Sequence, residues 1–471
     1  MKARLAIALA SALVAACASM GGEHPLAARG DADRLAASKS LAQAPLSDAA
    51  WPSADWWKRY GDPQLDALVD GALQGSPTLR VADARVRKAM AAAGIAGAAR
   101  RPRLNGSANA TRERFSEHYI YPPPLGGSWE TPADLTATLG YDLDLWGRLR
   151  SAHEGALDEA HAAEVDRHGA RLLLSTSVVR AYIRLQQAFD ELDIARKLYE
   201  EREALVRLVE QRKDAGLDSA VELREAQAAV PAAQERIAQL EETIEVTRNQ
   251  LAALAGAGPD RGLAIARPAM KVVASGVLPT SVPADLVGRR PDIVAQRWRI
   301  EAAGRSIDSA KAEFYPDVNL AAFVGVQSIG LSELLKGGSA QPGVGAALRL
   351  PIFDGGRLRA NLAAKDADYD IAVEQYNQSL ADALRDVADQ LAALRSIERQ
   401  RAQAAEGVRF ASEAYDLAKL RYREGLGNYL QVLVAETQVL GQRNLQAALD
   451  ARALDAGVSL TRALGGGYSA E

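Results

Sequence analysis

Two segments of the chain, YDLDLWGRLR at 141–150 and LRLPIFDGGRLR at 348–359, carry the same transition: an alternating strand pattern runs into Gly-Arg-Leu-Arg and then a long helical pattern. The duplication extends well beyond them. SPTLRVADARVRKAMAAAGIAGAARRPRLNG (76–106) aligns with RPDIVAQRWRIEAAGRSIDSAKAEFYPDVNL (290–320) at a constant offset of 214, which sets Pro77 against Pro291, Arg85 against Arg299, Pro102 against Pro316 and Asn105 against Asn319. From the next strand onward the offset is 209. Arg148-Leu149-Arg150 then meets Arg357-Leu358-Arg359, and Gly216-Leu217 meets Gly425-Leu426. The change of offset falls between the two strands of each unit, where insertions are tolerated in a loop.

Each unit reads helix, strand, loop, strand, long helix, glycine turn, helix. In the first, Leu135, Ala137, Leu139, Tyr141, Leu143 and Leu145 alternate with Asp134, Thr136, Thr138, Gly140, Asp142 and Asp144, giving one apolar and one polar face. Val344, Ala346, Leu348, Leu350 and Ile352 repeat the register in the second. The helices that follow are long, since no proline occurs between Gly147 and Val230 or after Pro351. Arg148 to Lys213 would extend about 95 Å at 1.5 Å per residue. Val178, Tyr182, Leu185, Phe189 and Leu192 make a coiled-coil-like seam. Gly216 and Gly425 end such helices, where a residue free to adopt positive φ turns the chain back. Pro231 stands where the second unit has Leu440, and a bend is expected there.

The boundaries that follow are a leader over 1–16, an N-terminal extension over 17–61 and repeat one over 62–256. A linker over 257–288, repeat two over 289–465 and a tail over 466–471 complete the chain. Repeat one is expected to hold strands near 103–114 and 131–146, and repeat two strands near 317–328 and 342–353.

The leader has Lys2 and Arg4 before an apolar run from Leu5 to Ala16, too short for a permanent membrane helix. It ends in Val14-Ala15-Ala16-Cys17, which resembles a bacterial lipobox, with Cys17 the acylated residue and the chain exported. Cys17 is the only cysteine, so a disulfide within the chain and cysteine-based metal sites are excluded. Lys plus Arg is 56 against 60 Asp plus Glu, a net charge of −4, which argues against nucleic acid as a partner.

A strand with one apolar and one polar face suits either a half-buried soluble sheet or a membrane barrel. Strands of about ten residues match a tilted crossing of the bilayer. Only closed barrels satisfy backbone groups in lipid, and the smallest have eight strands, so four strands imply a barrel shared between subunits. Asp134, Thr136 and Thr138 would then face an aqueous lumen. FSEHYIYPPPLGGSWE and IGLSELLKGGSA would be the outer loops.

ADWWKRYGDPQLDALVDGAL, LPTSVPADLVGRRPDIVAQRWRIEAA, AEFYPDVNL and the paired Gly-Leu turns resemble the TolC/OprM outer membrane factors, and the lipobox resembles their NodT-type lipoprotein branch. The likeness covers roughly 50–465. It implies a mixed fold, a membrane β-barrel plus a long α-helical barrel, to which each protomer gives four transmembrane strands and coiled helices in two repeats closed as a homotrimer. It implies an outer membrane channel of a tripartite efflux system that passes small molecules passively. The partners would be a periplasmic adaptor (a membrane fusion protein), an inner membrane pump of the resistance-nodulation-division type, and outer membrane lipid. No cofactor is implied beyond the covalent lipid on Cys17.

The resemblance also places the working parts. The hairpin turns at Gly216 and Gly425 would close the periplasmic end, with Leu426, Leu430, Gln431 and Val434 at the constriction and Glu222 paired with Tyr422 as a lock. Related channels carry aspartates six or nine residues after the second glycine, where this chain has Gln431 and Val434. Entrance charge is expected instead from Asp218, Glu222 or Glu225 in repeat one.

Three other readings are set aside. His161 and His168 lie two helical turns apart, about 10 Å, too far for one metal ion. GVGAAL at 343–348 lacks the strand-turn-helix context of a phosphate loop, and no nucleophile triad is visible, so an enzyme is not expected. A lipid-anchored adaptor would lack the duplicated strand pairs. Within the channel reading, the exit duct of a type I secretion system is the alternative.

Overall fold

The computed structural model describes residues 24–31, 35, 51–271 and 282–470. Cys17, the leader and most of the N-terminal extension lie outside the described residues. Two compact units are present, one made of Met1–Arg29, Arg85–Ala163 and Gln296–Gln375, the other of Gly30–Ala84, Glu164–Ala295 and Tyr376–Glu471. The elements are α1 (Pro63–Gly75), α2 (Pro77–Ala99), β1 (Arg103–Ala110), β2 (Glu113–Arg114), β3 (Trp129–Glu130), β4 (Pro132–Leu143), α3 (Arg148–Asp214), α4 (Ala220–Leu254), α5 (Asp260–Leu263), α6 (Val282–Arg289), α7 (Pro291–Ala312), β5 (Asp317–Ile329), β6 (Ala340–Arg349), α8 (Arg357–Arg423) and α9 (Tyr429–Ala463). The long helices match in length across the repeats, 67 residues for α3 and α8 and 35 for α4 and α9.

The first unit holds an antiparallel sheet in the order β1-β4-β5-β6, so a strand of one repeat pairs with a strand of the other at its centre. Between β1 and β4 the register aligns like with like. Asp134, Thr136 and Thr138 stand opposite Asn109, Ser107 and Asn105 on one side and Gln327, Gly325 and Phe323 on the other. Leu135, Ala137 and Leu139 stand opposite Ala108, Gly106 and Leu104, and opposite Val326, Val324 and Ala322. The sheet therefore has one polar face, laced by Asn109 donating to Asp134 at 3.1 Å and an Arg103–Asp142 ion pair at 3.2 Å. Its other face is apolar, and Leu104, Leu135, Leu139, Val324, Val344 and Leu348 are exposed on it.

Strand ends differ from the sequence reading for local reasons. The first strand stops at Ala110 rather than 114, because Pro132 opposite has no N–H to continue the ladder; Glu113–Arg114 instead pairs with Trp129–Glu130 in a separate ribbon. Strand β4 stops at Leu143 rather than 146 because the Asp144 carboxylate accepts the N–H groups of Leu149 (3.0 Å) and Arg150 (2.7 Å) and starts α3. Strand β6 ends at Arg349 rather than 353, ahead of Pro351, and Asp354 caps α8 through Leu358 N (2.8 Å). The transition that opens the sequence twice is thus a capping aspartate followed by a positive-φ glycine, Gly147 or Gly356. Where α7 ends and α8 begins the unit packs Ile307, Ala310, Phe314, Leu358 and Leu362.

In the second unit the seam read from sequence is core. Val178, Tyr182, Leu185 and Leu192 are buried with Trp56, Trp57, Tyr60 and Leu65. The Tyr182 hydroxyl donates to Asp62 at 2.8 Å, while Asp62 also accepts from Gln64 N and Ala269 N. Helix α4 is a single helix that continues through Pro231.

Candidate functional site: the helical hairpin turns

The two turns obey one rule. Gly216 and Gly425 have φ of +74° and +77°, and in each the next residue's N–H reaches back to close the helix, Leu217 to Arg212 O and Leu426 to Arg421 O, both at 2.8 Å. The residues of α3 that point inward there are Leu198, Arg202, Leu205, Val209 and Arg212, spaced four, three, four and three. Helix α9 answers with Tyr429, Val432, Glu436 and Val439. Both seams are apolar except for their charged members.

At the turns the charged member is Arg212. Its guanidinium meets Asp218 through Nε at 2.9 Å and Nη2 at 3.3 Å, and lies 4.4 Å over the ring of Tyr422. The Tyr422 hydroxyl donates to Oδ2 of the same carboxylate. Tyr422 is fully buried, and burial together with Asp218 pushes its phenol well above the ordinary tyrosine range, so it remains a proton donor. One carboxylate thus joins the first hairpin to the second through a charge-assisted hydrogen bond.

This corrects the sequence assignment of the acidic partner. Glu222 does not reach Tyr422. It stands at the third position of α4 and turns back to the cap, accepting from Ser219 N at 2.9 Å while Ser219 Oγ accepts from Val221 N at 3.1 Å. The Ser219 hydroxyl also bonds Glu222, and these hydrogen bonds, the hydroxyl's first, hold the Glu222 carboxyl below the usual range. The signal was present in the sequence: Ser219-x-x-Glu222 ahead of a helix is a capping box, and its glutamate is already engaged.

Leu426, in the turn, is 70% exposed; on the side of α9 opposite its buried seam Leu430 and Val434 are 63% and 55% exposed, and Gln431 is exposed beside them. Their counterparts at offset 209 are Leu217, Val221, Glu225 and Glu222. The first hairpin therefore carries acids where the second has Val434 and Gln431, and Glu225 is exposed. Asp134, Thr136 and Thr138 belong to the sheet of the other unit. The histidines separate: His153 bonds Ala93 O at 3.1 Å, His161 packs edge-on to Trp298, and His168 lies by Tyr468. Among the described residues no three metal-ligating side chains cluster, and no helix is long and apolar enough to cross a membrane.

Two-sided strands thus feed duplicated long helical hairpins in this chain. Residues 68–257 and 282–466 match the family model described as outer membrane efflux protein, and the chain belongs to that family. It is 42% identical over 366 residues to the fusaric acid resistance protein FusA of Burkholderia cepacia, covering 77% of this chain and 69% of that one. It is 35% identical over 433 residues to the multidrug resistance outer membrane protein MdtP of Escherichia coli K12, covering 90% and 88%. Among solved structures it is similar to the outer membrane protein VceC of Vibrio cholerae (TM-score 0.82, 38% identity, 88% of this chain and 100% of that one). The outer-membrane channel OprN gives a TM-score of 0.83 at 28% identity, covering 95% and 98%. The protein is an outer membrane efflux channel subunit with a large periplasmic portion.

Proposed function

We propose that three copies close into one passive duct for small molecules: a twelve-stranded barrel across the outer membrane continued by a helical tunnel through the periplasm. The sheet carries this reading. Its edge strands β1 and β6 are exposed along nearly their whole length, and lipid does not tolerate unpaired strand edges. Pairing β6 of each copy with β1 of the next removes every edge, turns the exposed leucines and valines to lipid and brings Asp134, Thr136 and Thr138 to the lumen. The duct works with a periplasmic adaptor and an inner membrane pump of the resistance-nodulation-division type, which supply energy and selection; FusA and MdtP are both named for resistance. No catalytic group takes part.

The hairpin turns are the gate. Leu426 and Leu430 form a greasy constriction that closes by excluding water. Tyr422, Asp218 and Arg212 form the lock, a bond at the helix ends that adaptor docking can release. Glu225 supplies the entrance charge absent at Gln431 and Val434.

An acyl anchor on Cys17 is compatible with the described part of the extension. The Leu26 and Ala27 N–H groups donate to Asp370 at 2.9 and 2.8 Å. Asp370 lies thirteen residues along α8, about 20 Å from its start, and the nine residues back to Cys17 span up to about 30 Å. The anchor can therefore reach the level where the sheet begins.

Native mass spectrometry of the detergent-extracted protein tests the assembly. Three chains of 50.1 kDa give roughly 150 kDa. A water-soluble monomer would reduce the strands to an ordinary sheet and remove the duct.

A further inference from the structure

A second charged group interrupts the same apolar seams, and the lock does not use it. Arg202 of α3 donates through Nε (3.2 Å) and Nη2 (3.0 Å) to Oε2 of Glu436 on α9. Its third arm, Nη1, donates to Ala229 O on α4 at 2.8 Å. The Glu436 side chain is 4% exposed and that of Arg202 15%, so this is a buried ion pair. One guanidinium thereby joins both helices of the first hairpin to the second. Arg202 lies ten residues before Arg212 on α3, about 15 Å along the helix from the lock.

Glu436 occupies a seam position that leucine or valine would fill, between Val432 and Val439. Both hydrogen bonds from Arg202 fall on one of its oxygens. The other, Oε1, is buried without a partner among the described residues, as is Oη of Tyr415 on α8. Burial pushes the Glu436 carboxyl up, and Arg202 works against that shift. A buried ion pair with an unsatisfied oxygen is a poor way to stabilise a seam and a well-attested way to specify which residues face each other, since sliding either helix would strand both charges.

We infer that Arg202 and Glu436 are positioning residues of the gate: a second clamp that keeps the two hairpins in one register above the lock, so that release at Tyr422 moves only the segment below it. This rests on the channel reading. The lock sits at the turns, where helix ends can part. The Arg202 pair lies inside continuous helix on all three of its elements, where parting would expose two charges to an apolar seam. The lower bond opens and the upper one holds.

The test uses the full chain in planar lipid bilayers and reads single-channel conductance in wild type, Y422F, E436Q and Y422F/E436Q. With the upper clamp intact, Y422F should give one larger, well-defined level. E436Q should broaden the wild-type level into several, and the double variant should exceed the product of the single effects by at least threefold. An E436Q channel with one wild-type level, and a double variant equal to Y422F, would overturn the inference. Because E436Q strands Arg202, a second variant protects the test. R202M/E436L replaces the pair with apolar groups and should assemble normally by native mass spectrometry while losing the single conductance level. If it keeps one wild-type level, the pair is packing only. If wild type itself forms no channels, the channel reading fails first; wild-type channels with indifferent variants remove this inference alone.

Discussion

The hydroxyl of Tyr422 on the second hairpin donates to the carboxylate of Asp218 on the first, and Arg212 holds that carboxylate from its other side. A charge-assisted bond of this kind contributes about 1.5–3 kcal/mol. Tyr422→Phe removes it without changing the ring under Arg212. Single-channel conductance should rise in Y422F and rise further in D218N, which also releases Arg212. E222Q should leave conductance near wild type, since its carboxylate serves the helix cap. A wild-type conductance for D218N would take the lock out of the gate.

The cap itself has a separate readout. Ser219→Ala should cost about 1 kcal/mol locally and speed amide exchange over 220–223, with trimer yield unchanged. The pH dependence has a definite sign. Glu222 titrates lower in the folded protein than in the unfolded chain, so its stabilisation is complete above the unfolded carboxyl pKa. It is lost as pH falls through the depressed folded value. Protection factors over the same amides, taken relative to the intrinsic exchange rate at each pH, should therefore fall in acid in wild type and stay flat in E222Q.

If the first hairpin supplies the entrance charge, Glu225→Gln should reduce cation over anion preference, read as a shift of the reversal potential toward zero in a salt gradient. Replacing Val434 by Asp in the same background should restore it. An unchanged reversal potential in E225Q would place the entrance charge elsewhere.

Across the β5–β6 ladder the ring of Phe323 covers Gly343, where an added Cβ would lie 2.4 Å from the ring. Gly343→Ala should destabilise the folded sheet by about 1–3 kcal/mol through overpacking and lower the temperature at which trimers dissociate on gels. F323A/G343A should recover most of the loss. A G343A protein as stable as wild type would mean that the ring moves aside freely.

For the anchor, Cys17→Ala should abolish metabolic labelling with palmitate; in the proposed duct the strands themselves hold the protein in the outer membrane, so trimers should still be recovered there. Persistent labelling would require another acylated residue.

Periodicity and repetition made much of the fold legible. Alternation at period two marked β4 and β6, and the absence of proline marked α3 and α8. The paired Gly-Leu turns marked the hairpin ends, because a positive-φ stop leaves a glycine in the sequence. Strand ends were less visible. They depend on which backbone groups find partners, as when Pro132 ends the β1 ladder or Asp144 withdraws from β4 to cap a helix.

The sequence by itself determined that two copies of one unit had to fold in parallel, that each strand had two chemically distinct faces, and that each long helix turned at a glycine. These properties follow from local rules of spacing and backbone freedom. Which acid met Tyr422 was decided only in three dimensions. Asp218 and Glu222 are one helical turn apart, and the choice depended on Ser219 claiming the glutamate first. The same is true of the partner of Glu436. Only the packing of α3 against α9 set that glutamate beside Arg202, because a residue fourteen positions before one turn glycine and one eleven positions after the other share no local signal until their helices lie side by side.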